Sequence, residues 1–101
     1  MLRISVVDSP NQRRLVVEGE LIGPWAAELR ATCDKARADL RGGELIVDVS
    51  QLTAISQKGE NVLFDLIRAG VKFRCRGLYT RRVLRQLARR ASRSHQEVRK
   101  Q

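Results

Sequence analysis

The sequence predicts one α/β domain: a mixed four-stranded sheet with three helices on one face, in the order β-β-α-β-α-β-α. Three observations predict it. Two short apolar segments near the start flank a Pro10-Asn11 turn, the pattern of a hairpin. Strand-like and helix-like apolar spacings then alternate to the end of the domain, as expected of helices layered on a sheet. The strands alternate apolar and polar residues, which leaves one sheet face polar.

The elements can be justified in chain order. Leu2, Ile4 and Val6 alternate with Arg3, Ser5 and Val7, a strand with one apolar face. Asp8-Ser9-Pro10-Asn11-Gln12 is turn chemistry, and Arg14-Leu15-Val16-Val17-Glu18 resumes as the second strand. Gly19 marks a bulge or a close backbone approach. Pro24 suits a first helical position, where its missing N–H costs nothing. Ala26, Leu29, Cys33, Ala36 and Leu40 then form one helix face, and Arg41-Gly42-Gly43 is expected to end the helix. Trp25, in the first turn, is expected at the edge of the core.

Residues 45–70 organise the rest. Leu45-Ile46-Val47-Asp48-Val49 reads as a buried strand, and Ser50 to Ile55 as a polar connection. Ser56 stands where an N-cap belongs, Val62, Leu63, Leu66 and Ile67 share a helix face, and Gly70 is the expected stop. Val71, Phe73 and Cys75 alternate with Lys72, Arg74 and Arg76 as a fourth strand, which Gly77 ends. In the last helix Tyr79, Val83, Leu84, Leu87, Ala88 and Ala91 are expected on the core side. Arg81, Arg82, Arg85, Arg89 and Arg90 are expected on the outer, basic side. Residues 1–91 form the expected domain, and 92–101 a basic tail expected to be disordered for want of apolar anchors.

Val47-Asp48-Val49-Ser50, Ile55, Gly59 and the leucine-rich helix after it give the chain a resemblance to the STAS domain family. That family includes the anti-sigma factor antagonists of bacterial partner-switching systems. The resemblance runs from about Met1 to Ala91 through the order of elements, and it implies a STAS-like fold. It also implies a protein-interaction module. In those relatives the loop before the second helix and the helix start contact a kinase-type anti-sigma factor, and phosphorylation of a serine there blocks the contact. Carried over by position, the partner-binding surface is Ser56, Gln57, Lys58, Glu60 and Asn61. Phosphorylatable members have Asp and Ser where this chain has Ser56 and Gln57. Gln57 has no hydroxyl, so the usual phospho-switch is not expected at that position. On the residues alone a plainer alternative stands: Ser56 caps the helix and its neighbours are solvated.

The chain carries 20 Lys and Arg against 11 Asp and Glu, a net charge of +9. Residues 81–101 hold 8 of the basic residues and only Glu97, so the charge belongs to the last helix and tail. Such asymmetry suits an acidic protein, nucleic acid or an anionic membrane surface. Two alternatives to the antagonist-like reading follow. One is a nucleic-acid binder acting through the arginine face and tail. The other is a regulatory STAS subunit of a larger membrane or signalling complex. No run is apolar enough to span a membrane and no signal-peptide pattern occurs, so a cytoplasmic location is expected. Cys33 and Cys75 are expected as small buried apolar residues and lack metal-site spacing. His95 falls in the tail, Asp48 has no evident catalytic partner, and no glycine-rich phosphate loop is present. No enzymatic activity, cofactor or metal is therefore expected.

Overall fold

A computed structural model describes residues 1–40 and 43–100, with side chains as far as Ser92. Its elements follow the expected order: β1 (Leu2–Ser9), β2 (Gln12–Leu21), α1 (Pro24–Asp39), β3 (Glu44–Ile55), α2 (Gln57–Arg68), β4 (Lys72–Arg74) and α3 (Leu78–Lys100). The four strands lie in sequence order in one mixed sheet. β1 and β2 form the hairpin, antiparallel from Leu2 opposite Gly19 to Ser9 opposite Gln12. β2–β3 and β3–β4 are parallel, because a helix intervenes in each connection.

Alternation decides which face is covered. Leu15, Val17, Leu21, Val47, Val49 and Leu52 are buried beneath the helices. Against them pack Ala26, Leu29, Cys33 and Ala36 of α1, Val62, Leu63 and Leu66 of α2, and Leu87 of α3. The intervening strand residues, among them Arg14, Glu18, Asp48 and Arg74, occupy the opposite, open face.

Several boundaries differ from expectation. The polar stretch Ser50–Ile55 is not a connection but the second half of β3. It continues because β2 also continues: Glu18, Gly19, Glu20 and Leu21 pair with Gln51, Leu52, Ala54 and Ile55 across two register shifts. Gly19 lies at these shifts with φ 105°, and its missing side chain leaves room for the Met1 carbonyl, which accepts the Glu20 amide at 3.1 Å. α1 ends at Asp39 with Leu40 as its C-cap. Arg41 and Gly42, expected to end that helix, lie outside the described residues.

At the start of α3 the core-facing positions shift by one residue. Thr80 is 2% exposed, while Tyr79 is 52% and Leu78 85% exposed. Ala88 is also exposed. Cys75 is half-buried rather than buried, and its thiol donates to the Gly77 carbonyl at 3.5 Å. The backbone of α3 runs on as helix past Ala91 to Lys100. The side chain of His95 lies outside those described. Among the described residues, no helix is long and apolar enough to cross a membrane.

Candidate partner-docking site

The end of β2 builds the site. The Leu21 carbonyl accepts the Ser56 backbone amide at 3.0 Å and the Ser56 hydroxyl at 3.4 Å. The same Ser56 oxygen accepts the Gly59 amide at 3.2 Å, satisfying one of the free N–H groups of the first turn of α2. Ser56 therefore joins three backbone segments while its own backbone remains extended. Gly59 allows this closeness. A Cβ there would overlap the Leu21 carbonyl oxygen and stand 3.0 Å from Leu21 Cγ and 3.1 Å from Ile55 Cγ2. The other end of α2 is a Schellman stop: the Gly70 amide donates to Ile67 and the Val71 amide to Leu66, with Gly70 at φ 88°.

Because Leu21 pairs with Ile55 in a parallel register, α1 and α2 begin side by side at the carboxyl ends of β2 and β3. Between the two helix starts runs a groove of about 510 Å³. Pro24, Ala26, Ala27 and Val62 give it an apolar floor, and Arg30, Lys58 and Asn61 give it polar walls. The Arg30 guanidinium donates to the Asp65 carboxylate at 2.7 Å, tying α1 to α2. The Gln57 amide donates to Asn61 Oδ1 at 3.1 Å on the exposed surface.

The five residues expected to bind a partner are thus placed differently. Lys58 and Asn61 line the groove and are exposed. Gln57 is exposed and reaches the groove through Asn61. Glu60 is half-buried and lies outside the groove lining, and Ser56 is half-buried and committed to the cap. Sequence reasoning missed the contribution of α1: Pro24, Ala26, Ala27 and Arg30. The Gly23-Pro24 helix start was visible, but only the parallel β2–β3 register brings it beside Ser56.

The open sheet face holds Asp48 in a basin of about 440 Å³ with Arg14, Glu18, Ser50, Arg74 and Arg76 among its walls. Burial disfavours charge on Asp48. Hydrogen bonds from Ser50, and then the nearby Arg14 and Arg74 guanidiniums, outweigh it and hold the carboxyl below the usual carboxylate range. A carboxylate kept ionised in this way is poorly matched to proton transfer near neutral pH. Burial pushes the Cys33 thiol up to about 12, the opposite of what an activated cysteine needs. Among the described residues no group of three His, Cys, Asp or Glu could hold a metal ion.

All five arginines expected on the basic surface are exposed, but they do not form one uniform face. Arg90, near the middle of α3, lies over the Phe64 ring at 5.3 Å, whereas Arg81, in the first turn, donates to the Cys75 carbonyl at 3.5 Å. A scan against models of known protein families finds no match, and a search of curated proteins finds none.

Proposed function

We propose that this chain is a non-enzymatic protein-interaction module that docks a protein partner in the groove between the starts of α1 and α2. The observation that carries the reading is the groove itself. Its apolar floor offers area to bury, and its polar walls at Arg30, Lys58 and Asn61 offer orientation, the division found in protein interfaces. The surface coincides with the helix start that the resemblance to anti-sigma factor antagonists implies. A kinase-type anti-sigma factor or a related cytoplasmic regulator is the proposed class of partner.

Binding is proposed to be constitutive with respect to phosphorylation at this helix start. Gln57 cannot accept a phosphate, and the Ser56 hydroxyl is half-buried in two hydrogen bonds. Capture from the native cell with wild-type bait, Gln57→Asp and Lys58→Glu tests the reading. Wild-type bait should retain a regulator that both variants lose, since each places new negative charge at the groove. Equal capture by all three baits would remove this groove from consideration.

A further inference from the structure

From Val71 to Ser92 the chain has Lys72, seven arginines and no Asp or Glu. Within this segment Lys72 pairs with Glu44, and outside it Arg13 pairs with Asp8 and Arg30 with Asp65. None of the seven arginines pairs with a carboxylate among the described residues. Three have other engagements. Arg74 lies near enough to Asp48 to lower its pKa, Arg81 donates to Cys75, and Arg90 covers Phe64.

Three others define a surface. Leu78, Arg82, Arg85 and Arg89 recur at steps of four, three and four, so they form one stripe along α3. All four are exposed, on the side of the helix away from buried Thr80 and Leu87. Helical rise separates Arg82 from Arg85 by about 4.5 Å and Arg85 from Arg89 by about 6 Å. Arg76, also exposed, stands apart from this stripe, in the basin around Asp48 on the open sheet face. Arg82, Arg85 and Arg89, with no carboxylate partner among the described residues, thus form a row on a rigid support, a geometry suited to bidentate contact with successive phosphates.

We propose that this outer face of α3 binds the phosphate backbone of a nucleic-acid duplex without reading its bases. An anionic bilayer fits the stripe less well. The apolar residues of α3 that would enter a membrane, Val83, Leu84 and Leu87, already pack on the core, leaving Leu78 and Tyr79 as its exposed large apolar side chains among the described residues. The stripe offers arginine alone, which grips phosphates and can also pair with guanine edges, and it carries no Asn or Gln to match adenine. Phosphate contacts alone carry no sequence information, so equal binding of unrelated sequences is the mark of the backbone mode.

The test is fluorescence anisotropy with two 20-base-pair DNA duplexes of unrelated sequence. Both should bind equally. Contact with three phosphates predicts a slope of log affinity against log salt of about −2.7, a loss of about 40-fold between 50 and 200 mM salt. Arg82→Ala/Arg85→Ala/Arg89→Ala should abolish most of that slope with the circular dichroism unchanged. A control, Arg3→Ala/Lys35→Ala/Arg37→Ala, removes equal charge from other exposed positions and should leave most of the slope intact. If the triple variant loses helix, the single charge reversal Arg85→Glu makes the same comparison. Absence of duplex binding at 50 mM salt would overturn the proposal, as would equal weakening by the control. Binding to vesicles containing phosphatidylglycerol without binding to either duplex would assign the stripe to lipid instead.

Discussion

Replacing Gly59 by alanine tests whether the site is built as described. The added methyl would overlap the Leu21 carbonyl oxygen by about 1 Å, judged against ordinary contact distances. That oxygen is backbone near the end of β2 and cannot turn aside as a side chain would. Leu21 Cγ and Ile55 Cγ2, at 3.0 and 3.1 Å, close off sideways escape. Relief requires α2 to lift at its N-terminus, stretching the two bonds from Ser56 to Leu21. Overpacking costs about 1–3 kcal/mol, and weakened hydrogen bonds add about 1 kcal/mol. Better helix propensity returns about 1 kcal/mol. The expected net loss is about 2 kcal/mol, which lowers the urea midpoint by about 1 M with the slope unchanged. A Gly59→Ala protein as stable as the parent, or more stable by the propensity term alone, would refute the close approach and the placement of α2 that depends on it.

Other expectations follow from single features. Ser56→Ala removes the cap of α2 and should cost about 0.5–2 kcal/mol by chemical denaturation; intact-mass analysis of protein from its own organism should find no phosphate on Ser56. Gly70→Ala meets no neighbouring atom. Its cost should be only the left-handed backbone penalty of about 1–2 kcal/mol, measured in the same titration. Cys33 should resist alkylation at pH 8 until denaturant is added, as read by mass spectrometry. Its raised pKa also has a pH signature. Stability from the neutral buried thiol is complete below the ordinary thiol value of 9.0 and is lost as pH rises toward about 12. Cys33→Ala should therefore lose less stability than the parent between pH 9 and 11.

Much of this architecture was legible because it is local. The steps of three and four from Ala26 to Ala36 placed the core face of α1. Ser56 and Gly70 marked both ends of α2 through capping chemistry that needs no distant partner. What escaped reading depends on partners far along the chain. Ser50–Ile55 is polar and looks like a loop, yet it becomes strand because Glu18–Leu21 runs beside it. The outward turn of Tyr79 and burial of Thr80 depend on how α3 docks after Gly77, a phase that its own spacing leaves ambiguous by one residue. The α1 wall of the groove required the parallel register of β2 and β3. Lys58 and Asn61 are polar residues in the first turns of α2, and the groove beside them is a product of tertiary structure.

Site-specific photo-crosslinking in the native cell tests the docking surface most directly. A photoreactive residue in place of Lys58, at the groove wall, should yield a covalent adduct with one regulatory protein, identified by mass spectrometry. The same residue in place of Lys35, exposed on α1 outside the groove lining, should not. An adduct at position 35 of equal yield, or none at position 58 while the folded protein is abundant, would contradict the assignment of this groove as the partner site.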